Sequence, residues 1–185
     1  EIYTLSLHDA LPILDFKLFL LRLPDFEGIK KYAKRTNRLC DVECSSLIEL
    51  PFIVLKRDLP NLIKDGEYEK AMLLVLRCFD KRVTLSKVVK EDNFNKTMFL
   101  FWIFDEFEKI VKMEREYLSG STSKKLRNAG IDRLNVLGYF NTIDSIAREY
   151  GYKHSEVEKM KYSLIFDIQY RGKMLTEIHN ELIEN

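Results

Sequence analysis

Little in this chain announces a function. Three cysteines, three histidines, one tryptophan, seven glycines and four prolines are spread through 185 residues. Cys40, Cys44 and Cys78 form no disulfide framework, so a reducing compartment, the cytoplasm, is expected. So few Gly and Pro exclude a meander of many short strands and favour long helices. Charge is nearly balanced, with 30 Lys and Arg against 29 Asp and Glu and a net value of +1. Leaving out residues 1–13, which carry Glu1 and Asp9 and no Lys or Arg, raises it to +3. Neither value advertises a polyanionic partner, and nucleic acid is not expected on this ground. The run LDFKLFLLRL (Leu14 to Leu23) is interrupted by Asp15, Lys17 and Arg22. It falls far short of the about 20 apolar residues that a bilayer demands, so no membrane partner is expected. It reads as a strand or a short buried helix.

Catalytic signatures are missing as well. There is no G-x-x-x-x-G-K-[ST], G-x-G-x-x-G, H-E-x-x-H or G-x-S-x-G. Cys40-x-x-x-Cys44 has the spacing of two metal ligands on one helical face, but no second Cys pair completes a zinc site. Two small buried apolar residues are the plainer reading. Asp105, Glu106 and Glu108 lack the Glu-x-x-His partner of carboxylate bundles and read as a solvated helix edge. His154 and His179 have no nucleophile or acid beside them. The expectation is a non-enzyme with no catalytic residues, no metal and no cofactor.

What is present is apolar and periodic: 46% of residues are hydrophobic and 12% aromatic, enough for a real core. Residues 25–39 are basic and weakly periodic, a short helix and a loop. Leu47, Leu50, Val54, Leu55, Leu59, Leu62 and Ile63 recur at three and four, one helical face. Ser45 or Ser46 suits its N-cap, Pro51 its first turn and Gly66 its end, while Pro60 should interrupt it. Tyr68, Ala71, Met72, Val75, Leu76 and Phe79 line a second helix, so residues 47–80 form an αα-hairpin. Residues 81–93 make a short strand or one helical turn. A long helix then begins at NFNKTMFLFWIF, apolar nearly all round in its first half, as a central bundle helix is. SGSTS (Ser119 to Ser123) is the one small and polar run and reads as a linker. Beyond it Asn141 caps Thr142–Tyr150 and Gly151 ends it. Ser155, with Glu158 three residues on, caps a last helix that runs to the end.

The expected fold is therefore all-α: a helical hairpin packed on a long central helix, followed by a C-terminal helical subdomain. Residues 14–118 are the N-terminal helical domain, 119–123 the linker and 124–185 the C-terminal subdomain.

Three stretches resemble known things. TLSLHDALPI (Thr4 to Ile13) resembles one translated frame of a common sequencing adapter. That implies that residues 1–13 are not native, that the sequence was assembled from metagenomic reads, and that the true N-terminus is missing.

IDSIAREYGYKHSEVEKM resembles a helix-turn-helix. Ala147 and Gly151 have the required spacing, and Ile146, Tyr150, Tyr152, Val157 and Met160 occupy packing positions. Ala lets the second helix cross closely and Gly accepts a positive φ at the turn. The surface for DNA would be Lys153, Ser155, Lys159 and Lys161, with Glu156 and Glu158 opposing a polyanion. Hairpins of this spacing also serve as plain packing units.

The order of elements resembles the small helical proteins of tailed-phage morphogenesis modules, in particular tail assembly chaperone-like proteins. The residues that carry this are Ala129-Gly130-Ile131, Gly138-Tyr139-Phe140-Asn141-Thr142-Ile143-Asp144, and Val157-x-x-Met160-x-Tyr162-x-x-Ile165-Phe166. Members often carry Pro before the Tyr. Lys161 stands there instead, so the last helix is expected to run unbroken from Ser155. The resemblance implies a non-catalytic role in the host cytoplasm or on the virion, coating a tape-measure helix or aiding tail assembly. Such a role needs apolar surface at helical spacing. The candidates are Phe94, Phe101, Trp102, Phe104 and Phe107 on the central helix, and Tyr162, Phe166 and Tyr170 on the last. Most of them suit a core equally well. The other functional expectations are a helix-turn-helix regulator and a helical interaction domain with no phage role.

Overall fold

A computed structural model of the protein describes residues 35–118 and 138–184. The adapter-like segment, the Leu14–Leu23 run, residues 25–34, the SGSTS stretch and Ala129-Gly130-Ile131 lie outside those residues.

The architecture is all-α, with one two-stranded hairpin at its edge. Strands β1 (Arg38–Leu39) and β2 (Val42–Glu43) pair antiparallel, with Arg38 opposite Glu43 and Leu39 opposite Val42. The two loop residues, Cys40 (φ 53) and Asp41 (φ 64), are both left-handed, the geometry of a tight hairpin turn. Residues 38–39 are thus strand, where a helix and loop were expected. Cys40 and Cys44 consequently share no helical face: Cys40 sits in the turn and Cys44 follows β2, both buried. The sequence signal was poor because left-handed Cys and Asp do not mark a turn as Asn-Gly does.

Ser46 caps a 3₁₀ turn (Leu47–Glu49), accepting from the Ile48 amide. The first helix of the hairpin then opens at Pro51, whose carbonyl accepts from Leu55 N at 3.1 Å. It widens into a π segment (Val54–Asp58) before continuing as α1 (Leu59–Lys64). Pro60 accounts for the widening. It has no N–H to give and its ring would crowd the Lys56 carbonyl in a regular helix, so the turn ahead of it opens. Gly66 (φ 73) ends α1. Helix α2 (Tyr68–Phe79) returns antiparallel, burying Ala71, Met72, Val75 and Leu76. Residues 85–90 resolve the strand-or-turn alternative as helix α3 (Leu85–Lys90).

The central helix α4 (Asn93–Tyr117) begins at Asp92, whose carboxylate accepts from Phe94 N and Asn95 N. It buries Met98, Phe99, Phe101, Ile103, Phe104, Glu106, Phe107 and Ile110. After the undescribed stretch come α5 (Tyr139–Tyr150), α6 (His154–Val157) and α7 (Tyr162–Glu184). One hydrophobic cluster runs from Leu39 through α1, α2 and α4 to Ile143, Ile146, Val157, Tyr162 and Ile165.

Two helix starts differ from expectation. Gly138 (φ 46), and not Asn141, precedes the first residue of α5. Lys153, and not Ser155, precedes α6, its amide donating to the Glu156 carboxylate at 2.7 Å. The last helix is also not continuous from Ser155, although no proline interrupts it. Phe52 N donates to Met160 O at 2.7 Å, Ile53 N to Glu158 O at 3.1 Å and Tyr162 N to Leu50 O at 2.9 Å. Pro51 and Lys161 form a β-bridge between them. This backbone clasp takes the groups that a continuous helix would have used.

Candidate functional site

Helix α7 is fastened along one face. Tyr162 and Ile165 are fully buried, Gln169 nearly so, and Phe166 is half-buried. Tyr162 stacks parallel to Phe52 at 6.3 Å. Phe166 and Tyr170 stack on each other, and both meet Tyr117 of α4 edge-on, at 6.4 and 5.7 Å. This ladder ties the last helix to the C-terminal end of α4.

A buried charge cluster lies beneath it. Lys56 sits 2.6 Å from Glu114, and its ammonium stands 5.3 Å from the centre of the Tyr162 ring. The Tyr162 hydroxyl donates to the same carboxylate oxygen. Burial first, then the Glu114 charge and this hydrogen bond, push the phenol well above its ordinary range. A second buried carboxylate, Glu106, accepts from Ser46 Oγ at 2.5 Å, Lys109 Nζ at 2.6 Å and the Leu47 amide at 3.4 Å. Burial pushes its carboxyl up, but the Lys109 and Ser46 hydrogen bonds, the Lys109 charge and the Leu47 amide outweigh it. The group therefore titrates below its ordinary value. Glu106 was expected on a solvated edge; it is instead a buried clamp between α4 and the 3₁₀ turn.

The candidate docking residues divide accordingly. Phe101, Phe104, Phe107 and Tyr162 are buried. Trp102 is half-buried against Phe99, and Phe166 and Tyr170 belong to the ladder. Phe94, at the start of α4, is 60% exposed.

The Ala147/Gly151 corner is present, with Gly151 left-handed at φ 71 and Ile146, Ala147 and Val157 buried. Its second helix is a single turn, His154–Val157. Lys153, Ser155, Lys159 and Lys161 are exposed, but Lys161 is engaged with Glu49 at 2.6 Å. Beside this corner α5 and α7 leave a cleft of about 40 Å³, lined by Thr142, Ser145, Glu149, Gln169 and Gly172. The Gln169 amide donates to Thr142 Oγ1 at 3.3 Å, while its carbonyl oxygen has no partner. No group of three or more His, Cys, Asp or Glu side chains able to hold a metal occurs among the described residues. No helix among them is long and apolar enough to cross a membrane.

The surface that sequence reading missed is the other side of α7. Leu164 is 49% exposed, Leu175 55%, Ile178 51% and Leu182 73%, with Ile168 half-buried in the same row. At 3.6 residues per turn this row lies roughly opposite Tyr162, Ile165, Phe166 and Gln169. With Arg171 it reads Leu164, Ile168, Arg171, Leu175, Ile178, Leu182, alternating four and three, the seam of a coiled coil. The signal was in the sequence. It was hidden because the two apolar faces of α7 read together as one helical pattern.

Comparison with family models, curated proteins and solved structures finds no match to the chain.

Proposed function

We propose that this protein is a non-catalytic assembly accessory protein of the tail assembly chaperone-like kind, working by protein–protein binding. It covers an apolar helix of a tape-measure or tail protein until that helix is packed into the tail. The observation that supports the reading is the outward apolar row of α7. A helix that buries one face and offers a second, heptad-spaced face to solvent is built to receive another helix. The buried polar groups support a non-catalytic role: Glu106 and Glu114 are consumed in joining elements to one another. The regulator reading is weaker. One helical turn gives too little length to read successive base edges in a major groove, and Glu156 stands in that turn.

The test is co-expression with a tailed-phage tape-measure protein. The soluble share of that protein should rise with the wild-type chain and fall back with Leu175→Glu/Ile178→Glu. A tape-measure protein equally insoluble with and without the chain would overturn the proposal.

A further inference from the structure

The joint between α6 and α7 is claimed by two incompatible hydrogen-bond schemes. Residues 158–161 separate the helices, yet Glu158, Lys159, Met160 and Lys161 all favour helix. A continuous helix would send the Tyr162 amide to the Glu158 carbonyl and the Leu164 amide to the Met160 carbonyl. Those are the two carbonyls that the clasp takes. Glu158 O accepts from Ile53 N at 3.1 Å and Met160 O from Phe52 N at 2.7 Å, while the Tyr162 amide goes to Leu50 O at 2.9 Å. The bend therefore lasts only while Leu50–Ile53 lies against it. Straightening the joint exchanges the clasp for the helix's own bonds. The Phe52 and Ile53 amides it releases belong to a first helical turn, which has no intrahelical acceptor for them and gives them to water.

Within one chain the straight form is forbidden by the seat of α7. Tyr162 stacks on Phe52 and donates to Glu114, Phe166 and Tyr170 meet Tyr117, and Gln169 donates to Thr142. A straight joint carries α7 away from all of them and leaves the Lys56–Glu114 pair uncovered. A second copy removes that penalty. When its α7 swings out in the same way, each body receives the other's helix, and every one of these contacts is remade between chains. A short joint with neither Gly nor Pro is the kind of hinge that promotes such exchange.

From this we infer that the seat of α7 also takes the α7 of a second copy, giving a two-fold dimer by helix exchange in which residues 154–184 form one unbroken helix. The exchange uses the buried face of α7 and leaves its outer row as it is in the monomer. Because α7 must leave its seat first, the dimer forms when chains fold together at high concentration, and it parts slowly once formed.

Refolding the full chain from guanidinium at micromolar to millimolar concentration, followed by size-exclusion chromatography with light scattering, tests this. The expected result is a dimer whose yield rises with refolding concentration and which persists for hours after dilution to a concentration where the folded monomer stays monomeric. Lys161→Pro should cut that yield at least about tenfold, because proline inside a continuous helix loses a hydrogen bond and clashes with the preceding turn. The clasp survives this change, since its donors are the Phe52, Ile53 and Tyr162 amides and not that of Lys161. If Lys161→Pro does not fold, Lys161→Gly carries the test, lowering the yield by its cost to the helix alone. Lys161→Ala removes the same ion pair to Glu49 and keeps the helix, so it should dimerise at least as well as wild type. Spin labels on Arg148→Cys/Thr176→Cys in a Cys78→Ser background, with labelled chains diluted among unlabelled ones, read the joint directly. The intrachain distance should be short in the monomer, where α5 and α7 pack side by side. It should lengthen in the dimer, where about 33 Å of continuous helix separates His154 from Thr176. A monomer at every refolding concentration, a dimer that dissociates at once on dilution, equal yields from the alanine and the proline or glycine variant, or an unchanged label distance overturns the inference.

Discussion

Lys56 and Glu114 form an ion pair at 2.6 Å with side chains only 9% and 12% exposed, and Tyr162 donates its hydroxyl to the same carboxylate oxygen. The three groups come from the π segment, the central helix and the first residue of the last helix. The contact therefore joins three parts of the chain far apart in sequence. Two of the three are charged, and neither can lose its partner cheaply.

Removing Glu114 alone should cost more than replacing all three groups together. Glu114→Ala leaves the Lys56 ammonium buried without its counter-charge and should cost about 3–5 kcal/mol in urea unfolding. Tyr162→Phe removes one hydrogen bond to a charged group, about 1.5–3 kcal/mol. The triple variant Lys56→Met/Glu114→Leu/Tyr162→Phe replaces the cluster by apolar groups of similar volume and should lose less than Glu114→Ala alone. A triple variant as unstable as the sum of its parts would show that the cluster contributes net stability.

The same tyrosine sets an alkaline limit. Its folded-state value is raised above the ordinary 10.0, so the folded protein holds the phenol proton more tightly than the unfolded chain does. Stability from this group is complete below pH 10 and is lost as pH rises above it, by about 1.4 kcal/mol per pH unit until the folded value is reached. Burial, before any nearby charge, pushes the Cys40 and Cys44 thiols from 9.0 up to about 11 and about 12, and their loss begins one unit earlier. Wild type should therefore weaken from pH 9 and more steeply from pH 10. Tyr162→Phe should lose only the second, steeper part. Identical slopes above pH 10 in the two proteins would contradict this account.

Glu106 sets the acid side. Its folded value is lowered from 4.5, so its contribution is present above pH 4.5 and disappears as pH falls through the lower folded value. Glu106→Gln should cost about 1–3 kcal/mol at pH 7, from the Ser46 and Lys109 contacts it weakens. The wild-type and variant unfolding free energies should converge as pH approaches 2. A constant gap across that range would mean that the variant acts through packing and not through the charge.

The distance between sequence and structure follows one physical division. Local periodicity was legible: Ala71, Met72, Val75 and Leu76 were placed on the inner face of their helix by spacing alone, and all are buried. Pro60 was expected to interrupt its helix, and it does so by opening a π segment. What remained illegible was set by partners distant in the chain. The break between α6 and α7 exists because Leu50, Phe52 and Ile53 pair with the backbone of residues 158–162, and no local residue there encodes a stop. Glu106 looked solvated because its partner Ser46 lies 60 residues earlier. On α7 the difficulty was different. Two apolar faces on one helix flatten its periodicity, so the spacing announced a helix to the end of the chain without separating Leu164, Leu175, Ile178 and Leu182 from the buried face.

One glycine isolates a purely backbone effect. Gly151 ends α5 at φ 71, and a Cβ placed there would meet nothing within 4 Å. Any loss on substitution therefore comes from the left-handed conformation and not from a clash. Gly151→Ala should cost about 1–2 kcal/mol. Gly151→Asn, whose short polar side chain tolerates that region, should cost clearly less. The corner it forms presents Tyr150 and Tyr152, stacked 6.3 Å apart and both exposed. Neither substitution touches α7, so circular dichroism should find both variants folded while their unfolding midpoints separate. Equal losses for Ala and Asn would mean that the turn is held by contacts that a side chain at 151 disrupts, and not by its φ.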